Sequence, residues 1–381
     1  MTPVEVRDLR EKRSDDAVEL SATVRNETAT HDIWFRTAPG PVGGVADPFV
    51  PTVLFPAMRS ASSVRVDAPV SAAILRSAER VQQVKTVWDP SLRIVPIEAR
   101  SVVASHPERK DAVGSFFSGG VDSFYTLQKH RDRITHLIFV HGFDIPLQQR
   151  GLYEQVLGEL VRLGRDLDLD VLEVHTNIRE YSGRHVSWDD HHGAAMAAVA
   201  HFLCPRFAKI LIPGTYAYAF LFPWGSHPGL DPLWSSESLE IVHDGCEVSR
   251  FEKVEALATW DLAVRRLRVC WQLVEGEYNC CLCRKCLYAM AYLRACGALE
   301  RAESFRRPLD LDALRRYPPV KLDARAGFVQ ALATVERRGD DPDLAACLRE
   351  GLERSHASGR ARSLVEKVGR GVRRLWPGTS G

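Results

Sequence analysis

The segment Ser118–Ser123, with the sequence SGGVDS, carries the clearest chemistry in the chain. Its adjacent glycines let backbone N–H groups approach a ligand without interference from a Cβ atom. A helical pattern begins within it, and a helix N-terminus adds unpaired N–H groups and the positive end of the helix dipole. The pattern therefore predicts a phosphate-binding loop. A plain turn from strand to helix, capped by Asp or Ser, is the alternative interpretation.

Each residue of this loop has a role in the prediction. Ser118 and Ser123 can donate their hydroxyls to phosphate oxygens. Phosphate would repel Asp122, so that residue suits a Mg²⁺ ligand or an anchor for the loop backbone. Asp122 and Ser123 are assigned to catalysis. The residues assigned to the nucleotide in this loop are Ser118, Gly119, Gly120, Val121, Asp122 and Ser123.

A second group of residues could bind a metal ion. Cys280, Cys283 and Cys286 follow a C-x2-C-x2-C spacing, and nine residues separate Cys270 from Cys280. Two cysteines with two residues between them can ligate one ion from a tight turn, and four thiolates complete a closed tetrahedral zinc site. We predict these four as ligands of a structural Zn²⁺, with Cys281 facing away. Buried cysteines without a metal are the alternative.

Proline and glycine mark residues 224–234 as a loop that carries further candidate residues. His227 and Asp231 are predicted to act in acid–base chemistry or to orient a nucleophile. Trp224 and Trp234 could stack on a planar substrate, although packing in the core is the commoner role of tryptophan. The loop is therefore a candidate for substrate selection.

Three other residues are candidate ligands of the nucleotide or substrate. His192 precedes a run of small residues that predicts a helix, where it could contact substrate or phosphate. Arg250 and Lys253 open another predicted helix and could bind the pyrophosphate leaving group. Exposed cations are common on any protein, so an ordinary surface role for both is the alternative.

The elements that must position these residues follow an alternating pattern from about residue 111. Strands are predicted at 113–117, 134–141, 171–174 and 209–212, with helices at 121–130, 147–166 and 190–203. This alternation predicts an α/β fold with a doubly wound parallel sheet. Ligands of such sheets bind at the carboxyl ends of the strands, which is where SGGVDS follows its strand.

The pattern changes at both ends of the chain. Residues 1–108 predict a β-rich N-terminal domain with one helix near 70–81, and its role as an interaction module, a lid or a structural element stays open. Residues 109–300 hold the α/β domain and the cysteines. Residues 301–381 predict a helical extension with a basic amphipathic tail at 362–375. That tail could contact a membrane or a partner, or pack as a terminal helix.

Composition excludes several classes of protein. The chain has 381 residues, a net charge of +1 and 45% hydrophobic residues, so no basic field would gather nucleic acid. The start of the chain is charged and lacks the apolar region of a secretory signal. The longest mostly apolar stretch, 194–204, is too short to span a bilayer. We expect a cytoplasmic protein without a nucleic-acid partner and without stable membrane insertion.

The SGGVDS loop resembles the signature of the N-type ATP pyrophosphatase (PP-loop) superfamily, which includes GMP synthetases, asparagine synthetases and tRNA thiolases. The resemblance covers residues 111–297, about half of the chain. It implies that ATP and Mg²⁺ bind at the loop, that pyrophosphate is released, and that a substrate oxygen receives AMP. A nitrogen or sulfur nucleophile then displaces the AMP. The resemblance also places Phe139 and Val140, at the end of the second strand, near the adenine.

The cysteine spacing is similar to the zinc site of 7-cyano-7-deazaguanine synthases, which convert a carboxylate to an amide and then a nitrile with ammonia. Residues 212–235 depart from that family, so the deazapurine substrate is not implied. The resemblance implies an ATP-dependent carbon–nitrogen ligase that acts on a small-molecule or peptide carboxylate. No glutaminase domain is recognisable, so ammonia would arrive free or from a donor protein. The sequence leaves open whether the protein forms a homodimer.

Two other functions fit the same residues. One is sulfur transfer, with the cysteines holding an iron–sulfur cluster in place of zinc, since sets of three or four cysteines permit either. The other is a non-catalytic nucleotide-binding module that regulates a partner. ATP–pyrophosphate exchange distinguishes catalysis from binding without turnover.

Overall fold

The computed structural model describes residues 2–104, 111–274 and 276–355. The chain forms two compact units, the first from Met1–Glu247 with Leu273–Tyr278 and the second from Val248–Gln272 with Asn279–Gly381. The predicted domain boundaries after residues 108 and 300 fall inside these units. The predicted basic tail lies outside the described residues.

The first unit contains a ten-stranded sheet that is mostly parallel. Its strands are β1 (Val4–Arg13), β2 (Val18–Arg25), β3 (Thr30–Thr37), β4 (Val64–Ser71), β5 (Ile97–Val103), β6 (Val113–Phe116), β7 (His136–His141), β8 (Asp170–Thr176), β9 (Lys209–Pro213) and β10 (Glu240–Asp244). They lie in the order β10-β9-β6-β7-β8-β3-β2-β1-β4-β5. The pairs β1–β2, β2–β3 and β3–β8 are antiparallel, and the other pairs are parallel.

Helices flank this sheet and make up most of the second unit. Those of the first unit are α1 (Phe49–Ser60), α2 (Ala72–Trp88), α3 (Val121–Lys129), α4 (Arg150–Leu167), α5 (Ile178–Ser182) and α6 (Trp188–Phe202). Those of the second unit are α7 (Arg250–Leu257), α8 (Asp261–Arg266), α9 (Arg284–Ala295), α10 (Leu311–Arg315), α11 (Leu322–Arg338) and α12 (342–355). Along the described residues, no helix is both long and apolar enough to cross a membrane.

The strands from β6 onward have a doubly wound order. If β6 is counted as the first strand, the spatial order β8-β7-β6-β9-β10 becomes 3-2-1-4-5, and all five strands are parallel. The predicted α/β class with a parallel sheet is confirmed, with β10 added at one edge. In this order the connections leave β6 and β9 in opposite directions, which opens a crevice at the carboxyl ends of those two strands.

The N-terminal strands extend this same sheet. Strand β3 pairs antiparallel with β8, and Phe35 lies opposite Thr176. The ring of Phe35 stacks on Phe202 of α6 and meets Phe49 of α1 edge-on, with ring centroids 5.5 Å apart in both pairs. All three side chains are fully buried, and each contributes roughly 1.5–3 kcal/mol by leaving water. One continuous core therefore joins the first hundred residues to the strands that follow.

The strand directions also fix the position of α2. Strand β4 runs opposite to β8, because the antiparallel pairs β1–β2, β2–β3 and β3–β8 separate the two. Helix α2 follows β4 and runs back along it, since β4 and β5 are parallel. The C-terminal end of α2 therefore reaches the edge of the sheet where β6–β10 end.

The second unit is organised around an aromatic contact between helices. Phe251 of α7 and Phe328 of α11 both meet Tyr292 of α9 edge-on, at centroid distances of 5.5 and 6.2 Å. Helix α7 begins with a capping box, in which the Ser249 side chain accepts from the Glu252 N–H and the Glu252 carboxylate accepts from the Ser249 N–H. Helices α10, α11 and α12 lie within the predicted helical extension that begins at residue 301.

Candidate functional site

The SGGVDS segment forms the connection from β6 to α3 at the crevice between β6 and β9. Gly119 has a φ of +76°, a left-handed conformation that strains any residue with a Cβ. Gly120 is the N-cap of α3, and this residue has no side chain to cap the helix. In contrast, the N-cap side chains of α2, α6, α7 and α10 each accept a first-turn N–H. Helix α3 thus differs from these helices at its N-cap, and the alternative of a plain structural turn stays open.

The hydroxyl of Ser123 has a partner within the loop itself. It donates to the carbonyl oxygen of Gly120 at 3.0 Å, and its side chain is buried. Asp122 lies in the same first turn and is partly exposed, as is Ser118. The first-turn N–H groups and Ser118 are thus the donors that the loop offers to an anion, while Ser123 shapes the turn.

Helix α3 is fastened to the end of β10 by a buried carboxylate. Asp244 accepts hydrogen bonds from Thr126 Oγ1 at 2.8 Å, from Lys129 Nζ at 2.9 Å and from His130 Nε2 at 2.9 Å. Burial acts to raise the pKa of Asp244, but these three hydrogen bonds hold it below its ordinary value. The charged carboxylate thereby fixes the helix whose first turn forms the loop.

Asp231 pairs with a histidine that the sequence analysis did not single out. Its Oδ2 accepts from His243 Nδ1 at 2.7 Å and from Ser226 Oγ at 2.6 Å, and Asp231 is fully buried. The predicted partner, His227, instead accepts at Nδ1 from the Gly229 N–H at 2.9 Å. The side chains of His227 and Asp231 thus have different hydrogen-bond partners, and their roles in acid–base chemistry stay a prediction.

His243 stands at the carboxyl end of β10 and is positively charged near neutral pH. Burial acts to lower its pKa, but the hydrogen bond to Asp231 and the neighbouring Cys246 raise the pKa to about 9. A Cβ on Gly214, the first residue after β9, would lie 2.5 Å from His243 Nε2. The imidazolium therefore faces the connection after β9, across the crevice from SGGVDS.

The raised pKa of His243 predicts a loss of stability at alkaline pH. A group whose pKa is higher in the folded than in the unfolded chain stabilises the folded state. Its full contribution is present below the pKa of the unfolded chain, which is about 6.5 for histidine. This contribution disappears as the pH rises through about 9. We expect the free energy of unfolding in urea to fall between pH 6.5 and 10, and to fall less in His243→Gln. A His243 titration midpoint at or below 6.5 by NMR would contradict the assignment.

His192 and the 224–231 loop pack against each other at the start of α6. The Gly225 N–H donates to the Asp189 carbonyl at 2.8 Å, and a Cβ on Gly193 would collide with the Gly225 carbonyl. His192 Nδ1 donates to the Trp188 carbonyl at 3.1 Å and its ring lies edge-on to Trp224. The structure thus places His192 beside the loop predicted to select the substrate.

The two tryptophans of that loop have different environments. Trp224 is partly exposed and lies among the rings of Tyr216 and Phe222, at centroid distances of 6.0 and 5.4 Å. Trp234 is fully buried within the main core. Stacking of Trp234 on a substrate is therefore a wrong expectation, and its packing role is the correct alternative.

Phe139 and Val140 are buried in β7, two residues and one residue before its end. The last residue of β7, His141, stacks on Tyr153 at 3.9 Å and lies 3.2 Å from His175, from Nδ1 to Nδ1. This pair of histidines at the ends of β7 and β8 was missed by the sequence analysis. A histidine at the last position of β7 and at the next-to-last position of β8 was the available signal.

The four predicted metal ligands come together in the second unit. The Sγ atoms of Cys270, Cys280, Cys283 and Cys286 all lie within 4.8 Å of one another, and all four residues are buried. A tetrahedral zinc site with Zn–S bonds of about 2.3 Å holds its sulfurs roughly 3.8 Å apart. The group therefore fits a single metal ion. Cys281 lies outside the group, with its thiol directed to the Asn279 carbonyl.

Hydrogen bonds among these cysteines stabilise a thiolate at Cys270. The pKa of Cys270 is lowered because the thiols of Cys283 and Cys286 interact with its sulfur, and the contact with Cys270 raises the pKa of each of those two thiols. Backbone N–H groups of Cys283 and Cys286 donate to Cys280 Sγ and Cys283 Sγ at 3.3 and 3.5 Å. Thiolates stabilised in this way favour a cation at the centre of the group.

Asn279 joins the two segments of the metal site. Its Oδ1 accepts from the N–H groups of Val269 and Cys270 at 2.9 and 3.2 Å, and its Nδ2 donates to the Leu267 carbonyl at 2.8 Å. Because Asn279 immediately precedes Cys280, these bonds hold Cys270 beside Cys280, Cys283 and Cys286. Sequence spacing gave no sign of this residue.

Arg250 and Lys253 lie in the first turn and a half of α7, in the second unit. Arg250 is partly exposed, whereas Lys253 is fully buried. Lys253 is therefore not an ordinary surface cation. Their predicted contact with pyrophosphate stays a prediction.

Comparisons with known proteins return no relative. No protein-family model, curated protein or solved structure matches the chain. The family resemblance therefore rests on SGGVDS and on the spacing of the cysteines.

Proposed function

We propose that the chain is an ATP-dependent enzyme of the N-type pyrophosphatase class. The observation that carries the proposal is the β6–α3 connection. It combines a left-handed Gly119, a helix N-terminus without a side-chain cap, and a position at the crevice of a 3-2-1-4-5 sheet. Such a position is where doubly wound sheets bind nucleotide phosphates.

The crevice offers hydrogen-bond donors to a polyphosphate. The first-turn N–H groups of α3 would bind phosphate oxygens, while the charge of the protonated His243 on β10 is balanced by its buried ion pair with Asp231. Mg²⁺, with Asp122 among its ligands, would neutralise the pyrophosphate as it leaves. In the proposed reaction a substrate carboxylate oxygen attacks the α-phosphorus of ATP and pyrophosphate departs. Ammonia then attacks the acyl carbon, AMP departs, and an amide remains.

The metal site favours the ligase over the sulfur-transfer alternative. Four sulfurs within 4.8 Å of one another suit one tetrahedral ion, whereas an iron–sulfur cluster has to fit several irons and sulfides between its cysteines. All four thiolates belong to the ion, so the site is closed and structural. We propose zinc in this position.

Exchange of radiolabelled pyrophosphate into ATP tests the proposed reaction. We expect Mg²⁺-dependent exchange only when a substrate carboxylate is present, and AMP with pyrophosphate as the products. A panel of small and peptide carboxylates would be screened with ATP, with GTP as the control nucleotide. ATP binding without exchange across the panel would favour the regulatory module, and production of ADP with phosphate would overturn the proposal.

A further inference from the structure

Lys85, near the end of α2, is a buried cation that the carboxylates of Asp190 and Asp89 influence without forming an ion pair with it. It is 4% exposed, and no hydrogen bond or ion pair from its Nζ to any described residue is present. The ammonium lies 4.9 Å from the ring centre of Phe55 and 5.9 Å from that of Trp88. Cation–π contacts only partly replace the hydration that a buried ammonium loses. The free protein therefore keeps this charge in an unfavourable place.

The groups around Lys85 are also unsatisfied or aromatic. His191 of α6 is fully buried, meets Phe55 edge-on at 5.8 Å, and within the described part of the chain has no hydrogen-bond partner for either ring nitrogen. Burial, together with the charges of His192 and Lys85, lowers the pKa of His191 to about 3, so the ring is neutral and keeps one N–H donor. An ammonium and an N–H donor thus lie on the same aromatic ring, and neither makes a hydrogen bond to any residue that the structure describes.

The position of this group connects it with the crevice edge of the sheet. Helix α2 reaches the edge where β6–β10 end, and α6 begins at that edge after β8. Trp88 lies 4.9 Å edge-on from His227, which belongs to the loop that follows β9. The first hundred residues therefore contribute Phe55, Lys85 and Trp88 to a group of side chains at the edge of the sheet where ligands bind.

We propose that Lys85 and His191 bind the carboxylate of a small-molecule ligand, with Phe55 and Trp88 as the apolar walls of the site. The carboxylate would accept from the Lys85 ammonium and from the His191 N–H, and so supply both missing partners. Aromatic walls exclude water and strengthen the ion pair. The inference depends on the proposed function only in naming this ligand as the substrate that becomes activated.

Binding of carboxylates and their uncharged amides tests the site without ATP. Acetate and benzoate would be titrated by calorimetry against acetamide and benzamide. At least one acid should bind the native protein more tightly than its amide. Lys85→Met should weaken binding of that acid at least about tenfold, as loss of a charge-assisted hydrogen bond implies. Lys209→Met, at the start of β9 on the opposite edge, is the matched control and should bind normally.

Stability provides a second measurement on the same variants. Lys85→Met removes an unpaired buried charge, so its thermal midpoint without ligand should rise by about 2–4 °C. The proposal is overturned if neither acid binds more tightly than its amide, if Lys85→Met binds the acid normally, or if its midpoint falls. Because these titrations contain no nucleotide, their outcome does not depend on whether the protein catalyses pyrophosphate exchange. Failure of one experiment leaves the other intact.

Discussion

Asp122→Ala should reduce ATP-dependent pyrophosphate release by at least about 100-fold, the size of effect seen when one group that stabilises a transition state is lost. Asp122 lies in the first turn of α3, where a carboxylate can hold Mg²⁺ beside the bound phosphates. It is partly exposed, so the fold does not depend on its packing. Pyrophosphate release would be measured with a coupled assay at saturating Mg²⁺ and ATP.

The matched control for this variant is Asp323→Ala. Asp323 is also an acidic residue in the first turn of a helix, α11, and also partly exposed. Both variants lose one favourable interaction with a helix dipole, about 0.3–1 kcal/mol, so their thermal midpoints should fall by similar small amounts. Native activity in Asp122→Ala would show that the loop does not serve ATP chemistry.

Cys283→Ser should remove the metal and unfold much of the second unit. Purified native protein is expected to contain about one zinc per chain, and binding of a structural zinc contributes directly to folding. Loss of one of the four thiolates opens the site. We expect zinc content to fall severalfold and the thermal midpoint to drop by at least about 10 °C. Elemental analysis and calorimetry provide the two measurements.

Cys281→Ser provides a matched control within the same turn. Cys281 is buried, as Cys283 is, but its sulfur lies outside the group of four. It should retain about one zinc per chain, with only the small loss of stability expected for a buried cysteine-to-serine change. Equal loss of zinc in both variants would reject the ligand assignment. Iron and sulfide in the native protein would show that the four cysteines hold an iron–sulfur cluster and not zinc.

The sequence was sufficient to predict the elements around SGGVDS. The strands β6, β7, β8 and β9 are apolar runs between helical patterns, and their observed bounds differ from the predicted ones by two residues at most. Strand β10 was missed because its sequence, EIVHD, has only two aliphatic residues. The continuous sheet was missed for a different reason. Pairing of β3 with β8 joins distant segments, and hydrophobic periodicity reports only local structure.

Prediction of the site was uneven for similar reasons. The cysteine ligands could be predicted because the spacing of metal ligands in a turn is local and specific. Asp231 was identified, but its partner His243 lies on the strand that was missed. Lys85 resembled any helical lysine in sequence, and its burial depends on α2 packing beside Phe55 and α6.

The pairing of β3 with β8 has a consequence during synthesis. The hydroxyl of Thr37 donates to the carbonyl of Glu173, 136 residues later in the chain. A ribosome that adds 5–20 residues per second needs about 7–27 s to cover that distance. During this interval β3 is the open edge of a nascent sheet, ready to pair with any extended chain nearby. Slow translation would therefore lengthen the period in which the newborn protein is prone to aggregation.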